Sequence, residues 1–289
     1  MKGSIFMDKR ALYINQPGGL GDILFLQGLV GMIWKDLTTP PLYEKFDCII
    51  WGIAEQYYDI VTNYWSERRM KLPVSFHIVP DAYLSSRRNL PQKPAEVINQ
   101  SNAINGIALN FICADRFFPS ANVMESKVML VESLGLEVPN SWDWRDGWFL
   151  PMTPFDHFRV DNLLSIIEQD QQVSVEDIKS GKIILANGYF GTPPDQKKAN
   201  RVIPEESIFP IVEMKLYEGT NLWDWLPLIQ TALEIRTVET SLCYLIDKFS
   251  TTDNIFQYEK REDHAPQNYF KYASGVYKNP NWKYEGRDF

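Results

Sequence analysis

The chain has 289 residues, longer than one typical domain, so two domains of roughly 100–200 residues each are expected. Its 45% hydrophobic and 23% charged residues suit a globular chain with a proper core, and no run approaches the ~20 apolar residues needed to cross a bilayer. A formal net charge of -8 disfavours broad binding to nucleic acid, because that partner calls for a basic surface able to displace counterions.

The opening stretch "MKGSIFMDKRALYINQ" shows neither the apolar segment nor the cleavage site of a secretory signal. Strand-like runs then alternate with helical ones, the mark of an α/β fold with parallel sheets. The first half reads as a strand over 11–16, a helix over 22–37, a strand over 47–51, a helix over 54–65 and a strand over 74–79. After a Pro- and Arg-rich loop comes a strand within 104–112. "SANVMESKVMLVESLGLEVP" reads as an amphipathic helix whose Val123, Val128, Val131 and Leu134 share a face, ended by Gly135. "NSWDWRDGWFLPMTP" is irregular and proline-punctuated, and it carries the boundary between a domain over 1–150 and a domain over 151–289.

The second half opens with a helix over 155–169 and a strand over 183–186. The Gly/Pro-rich loop "NGYFGTPPDQKKANR" follows. Then come a strand over 211–216, a helix over 222–231, a strand over 233–237, a helix over 240–249 and a strand over 255–258. The tail from Asp263 is polar and aromatic with little periodicity, and it is read as a segment able to pack back on the first domain. Aromatic residues, 13% of the chain, are expected chiefly in the core, with a sugar or base pocket as the alternative.

Cys48, Cys113 and Cys243 lie far apart without a CxxC pair, which fits core thiols in a reducing compartment. The expected location is the cytoplasm, the host's for a viral source. With only His77, His157 and His264 beside them, a zinc site is not expected. Basic residues form short clusters suited to small anion sites: Arg68-Arg69-x-Lys71, Arg87-Arg88, Lys197-Lys198 with Arg201, and Lys260-Arg261.

The chemistry concentrates in "ALYINQPGGLGDILFLQGLVGMIWKDL", a strand, a glycine-rich turn and a helix. That arrangement aims free backbone N–H groups at an anion, helped by the helix dipole. Gly19 and Gly21 supply two glycines of a GxGxxG pattern but Leu24 stands third, and the second strand, read as ending "CIIWG", shows no acid after it. No Gly-Lys-Ser/Thr follows, so this is not a P-loop. Asp22 can cap the helix, or it can accept a proton from a hydroxyl nucleophile.

"YINQPGGLGDILFLQGL" resembles the opening strand, loop and helix of family 9 glycosyltransferases, the ADP-heptose:lipopolysaccharide heptosyltransferase group. Three later stretches follow in the family's order. These are "ESKVMLVESLGLEVP", "LANGYFGTPPDQKKANRVIPEE" and "NLWDWLPLIQTALEIRTVETSLCYL". The resemblance implies a GT-B architecture, two Rossmann-like domains facing each other across a cleft. The first domain would bind the acceptor, the second the nucleotide-sugar, and no metal or other cofactor would be needed.

By the same resemblance Asp22 matches the general base, and Gly18, Gly19 and Gly21 match the flexible loop beside the donor phosphates. Thr192, Lys197, Lys198 and Arg201 would meet phosphate. Glu239, Thr240 and Ser241 align with the Asp-Thr-Gly turn that offers backbone N–H groups to the diphosphate, and Glu218 with the ribose contact. Glu239 stands for Asp, Ser241 for Gly and Tyr244 for the motif's histidine, so heptose itself is not implied.

The expected reaction is metal-independent transfer of a sugar from a nucleotide-diphosphate sugar to an acceptor hydroxyl. The acceptor stays open among a lipid-linked saccharide, which would bring the protein to a membrane surface, a glycan, a protein and, for a viral source, a modified DNA base. Two rivals stand beside this reading: a Rossmann enzyme using NAD or S-adenosylmethionine, and a non-catalytic binding protein of the same architecture.

Overall fold

The run "KRALYIN", whose centre is a short apolar stretch of the kind a strand covered on both faces carries, forms the central strand of the first of two units, β1 (Lys9–Asn15). In the computed structural model residues 9–36, 46–64, 74–79, 91–99, 104–119, 121, 123–135, 137–145, 154–190, 196–259 and 276–285 are described. The chain divides into two compact units, Met1–Pro151 and Met152–Phe289.

In the first unit β1 pairs in parallel with β2 (Cys48–Ala54) on one side and with β5 (Ile104–Leu109) on the other. β2 carries β3 (Val74–Val79) in parallel, and β4 (Ala95–Asn99) closes the far edge antiparallel to β5. The order is thus β3-β2-β1-β5-β4. Helix α1 (Leu20–Asp36) follows β1 and is buried on every side over residues 23–30, including Ile23, Leu24, Phe25, Leu26, Leu29 and Val30, as a helix apolar all round is. Helix α2 (Glu55–Tyr64) follows β2, and α3 (Ala114–Phe117) and α4 (Val123–Glu132) follow β5.

Helix α4 corrects the expected face. It buries Ser126, Lys127, Leu130 and Val131, while Val123 is 49% exposed. The lysine is held inside by hydrogen bonds, so the buried side of this helix is not its most apolar one.

The second unit is an all-parallel sheet in the order β12-β11-β10-β6-β9. Its strands are β6 (Ile184–Asn187), β9 (Ile211–Glu213), β10 (Glu234–Val238), β11 (Ile255–Tyr258) and β12 (Trp282–Glu285). A short hairpin, β7 (Tyr189–Phe190) with β8 (Lys197–Lys198), leaves the end of β6. The helices are α5 (Pro154–Gln171), α6 (Val175–Lys179), α7 (Leu226–Thr231) and α8 (Leu242–Phe249). Between β9 and α7, a 3-10 turn over Leu222–Trp225 is closed by a reciprocal cap of Asn221 and Asp224. Asp224 is buried, and Arg159 from α5 satisfies it with two hydrogen bonds of 2.9 Å.

In the described part of the tail, residues 276–285, β12 extends the second unit's sheet beside β11, and Asn279 N and Trp282 Nε1 donate to Asp247 Oδ1 of α8 at 2.7 and 2.8 Å.

Candidate active site

Ligands of doubly wound sheets bind outside the carboxyl ends of the strands, where the strand order reverses. In the first unit the chain runs β1, β2, β3 in one direction and then returns to set β5 on the other side of β1, so the reversal lies between β1 and β5. The segments leaving these two strands meet there. Asn15 Nδ2 donates to Asn110 Oδ1 at 2.8 Å, and Gln16 Nε2 donates to the Gly18 carbonyl at 2.6 Å. A cavity of about 330 Å3 opens at this point, with Gln16, Gly19, Asp22, Tyr57, Asp115 and Lys127 in its walls.

Gly19 caps α1 at φ 75°, where a side chain is strained. A Cβ on Gly19 would overlap Asp22 Oδ2, so the carboxylate lies back over the turn. Lys127 is 2% exposed. Its Nζ donates to Gln16 Oε1 at 3.0 Å and to the Phe111 carbonyl at 3.1 Å, and it stands 3.7 Å from Asp22 Oδ1. The lysine therefore stitches the exit of β1 to the exit of β5 and steadies the aspartate between them.

Burial pushes the Asp22 carboxyl above the usual carboxylate range, opposed by the nearby Lys127 charge and helped by Asp115. Burial pushes the Lys127 ammonium below its usual range, opposed by Asp22. Desolvation penalises both charged forms, and the carboxylate is left more basic than an exposed one. That is the property a proton acceptor needs near neutral pH.

In the second unit the order reverses between β6 and β10. Asn187, at the end of β6, donates through Nδ2 to Thr237 Oγ1 and Thr240 Oγ1, each at 2.9 Å. It thereby ties the β10 exit, with Glu239, Thr240 and Ser241, into the entrance of α8, and Ser241 is the cap of that helix. Lys198 is ion-paired with Glu213 and sits 5.4 Å from the centre of the Tyr189 ring. Arg201 stands 3.7 Å from Glu259, and Lys197 is exposed. Glu218 is exposed on the turn after β9. Thr192 lies outside the described residues.

Tyr244, at the position of the motif's histidine, is buried and packs edge-on against Tyr277 at 5.7 Å and 78°. Cys113 and Cys243 are buried free thiols, and burial pushes the Cys243 thiol up to about 11, which makes it unreactive. Among the described residues no group of three His, Cys, Asp or Glu side chains could hold a metal ion, and no helix is long and apolar enough to cross a membrane.

Three features of the site were not foreseen from sequence. Lys127 and Asp115 join Asp22 only because β5 lies beside β1, and Gln16, local to the turn, is drawn in as the acceptor of the lysine. A lysine three and four residues before Leu130 and Val131, on an otherwise apolar helix face, was the available signal for the first of them. Strand β2 also runs to Ala54 rather than stopping near Trp51, so Glu55 begins α2 directly after it. An acid does follow the second strand, which corrects the sequence reading.

The sequence matches no family model and no curated protein. Among solved structures, the chain is similar to a family 9 glycosyl transferase from Veillonella parvula, with TM-score 0.48 and 10% identity over 96% of this chain and 94% of that one. It is also similar to the heptosyltransferase WaaC of E. coli with ADP, with TM-score 0.44 and 11% identity over 95% and 92% of the two chains. With ADP-2-deoxy-2-fluoro heptose bound, the same enzyme gives TM-score 0.42 and 15% identity over 96% and 92%. These are likenesses of overall trace, and no residue role is taken from them.

Proposed function

We propose that the protein is a metal-independent glycosyltransferase, moving a sugar from a nucleotide-diphosphate sugar to an acceptor hydroxyl. The first unit takes the acceptor and the second takes the donor. The observation that carries the reading is Asp22: a desolvated carboxylate of raised basicity, facing a cavity of small-molecule size at the strand-order reversal. The sequence resemblance of the glycine turn and of the three later segments supports it.

Asp22 accepts the acceptor's hydroxyl proton as that oxygen forms its bond to the anomeric carbon. The bond from that carbon to the diphosphate oxygen breaks, and the electron pair leaves with the diphosphate. Gly18, Gly19 and Gly21 let substrate approach the backbone. Lys197 and Arg201, with the Ser241 amide entering α8, meet the negative charge gathering on the leaving group. The Thr240 amide already donates to Cys243 Sγ at 3.5 Å, and Thr192 is assigned a phosphate contact by the sequence resemblance alone. Lys198 contributes less, since Glu213 already neutralises it. Glu239 and Glu218 offer acceptors to the donor's hydroxyls.

The test is Asp22→Asn assayed with a panel of ADP-, GDP- and UDP-sugars. Transfer falls by ~100-fold or more, in keeping with loss of a general base, while nucleoside diphosphate affinity is unchanged. A fully active variant overturns the assignment.

Glu55 favours a second reading. It stands where dinucleotide-binding folds carry the acid that grips a ribose. The Asp22 carboxylate over the start of α1 repels a pyrophosphate, so S-adenosylmethionine, with its cationic sulfonium, suits the site better than NAD. A rise in melting temperature with S-adenosylmethionine and none with nucleoside diphosphates would move the assignment to this class.

A further inference from the structure

The cavity at the β1/β5 reversal holds the two features that ordinarily attract an anion, a helix N-terminus and a lysine, and both are already occupied from within the chain. The start of α1 is covered by its own Asp22 carboxylate, which lies against Gly19. Lys127 directs its three donors to Gln16 Oε1 at 3.0 Å, to the Phe111 carbonyl at 3.1 Å and toward Asp22 Oδ1 at 3.7 Å. Against that single cation the described wall sets two carboxylates, Asp22 and Asp115. Its field repels a negatively charged ligand.

What the wall offers instead is suited to hydroxyl groups. Asp115 and Gln56 are exposed at the rim and free to turn toward a ligand, one accepting and the other both donating and accepting. Tyr57 supplies an aromatic ring, and Ile112 and Val123 supply aliphatic wall, a combination that suits the C–H surface of a pyranose. The exposed Val123 at the start of α4 is explained by this wall. At about 330 Å3 the volume lies near the lower end of the about 300–1,000 Å3 typical of small-molecule sites.

We infer, resting on the glycosyl-transfer reading, that this cavity takes an uncharged saccharide as acceptor rather than a phosphorylated or carboxylated one. Asp115 and Gln56 grip its hydroxyls. Lys127 is a positioning residue that touches no ligand.

The experiment is calorimetric titration of the full chain with methyl glycosides of neutral hexoses and with neutral disaccharides. A parallel arm uses the matching sugar phosphates and uronic acids. The neutral sugars are expected to bind at least about tenfold more tightly than their anionic counterparts, a difference of about 1.4 kcal/mol. Asp115→Asn weakens neutral binding by about fivefold, because the amide keeps an acceptor and loses only the charge that strengthened the hydrogen bond, and Asp115→Lys turns the preference toward the anionic sugars. Asp115 is exposed, so both variants fold, with circular dichroism as the control.

Tighter binding of the anionic sugars overturns the inference. So does neutral binding that Asp115→Asn and Gln56→Ala leave unchanged, and so does the absence of any sugar binding. Titration with ADP, GDP and UDP separates the two levels of argument. If no nucleotide binds while neutral sugars do, the transfer reading fails and the saccharide site stands. If nucleotides bind and the sugar preference is reversed, only the saccharide inference falls.

Discussion

At the scale of single residues, the pairing of Asp22 with Lys127 sets the pH behaviour. A general base works in its deprotonated form, so the proposed mechanism predicts a transfer rate that rises with pH through the pKa of Asp22. Burial raises that pKa and the Lys127 charge opposes the rise. Lys127→Met removes the opposing charge and leaves the desolvation, so the acid limb of the kcat profile moves to higher pH. A lysine with only a packing role would leave the limb where it is, and a profile measured on both proteins distinguishes the two. The strand–turn–helix that carries Asp22 and the glycines was legible in the sequence because it is local: strand, turn and first helical turn are consecutive. Lys127 was not, because a hydropathy pattern assigns valines to the buried face. The carbonyl of Phe111, the amide oxygen of Gln16 (111 residues from the lysine) and the Asp22 carboxylate together make its burial tolerable.

At the scale of elements, the turn into α1 and the seat of β12 carry separate predictions. Gly19→Ala forces a side chain into the left-handed region, costing about 1–2 kcal/mol of stability. It also drives the Asp22 carboxylate out of its place, since that side chain is what the new methyl meets. Transfer should therefore fall further than the melting temperature suggests, which paired activity and thermal scans will show. Asp247→Ala strips the acceptor from Asn279 N and Trp282 Nε1 and should cost about 2 kcal/mol, read as a lower denaturant midpoint.

The elements missed from sequence have a common cause. β12 is exposed at three of its four positions, β4 is a five-residue edge strand behind a proline-rich stretch, and α6 spans a single turn and a half. Edge strands and short helices bury little, so they leave little periodicity to read. The inner strands β1, β2, β10 and β11 bury alternate or successive residues, and their apolar runs announced them.

At the scale of the whole molecule, the net charge of -8 sets a demand on the second unit under the proposed transfer. The diphosphate that this reaction would release carries strong negative charge into an acidic protein, so its stabilisation must be local. Arg201 is held by Glu259 and Lys198 by Glu213, which lowers the field each cation can offer. On the proposed mechanism, exposed Lys197 on the short hairpin after β6 and the Ser241 amide entering α8 are therefore the main sources. Two outcomes follow from that balance. Transfer should be unaffected by excess EDTA and unimproved by added magnesium or manganese. Lys197→Ala should lower kcat by about tenfold or more, the scale at which electrostatic stabilisers act, with a smaller effect from Lys198→Ala. Loss of activity in EDTA, restored by a divalent cation, would mean that the leaving group is neutralised by a bound ion. The helix start and the lysine would then be positioning the diphosphate rather than bearing its charge.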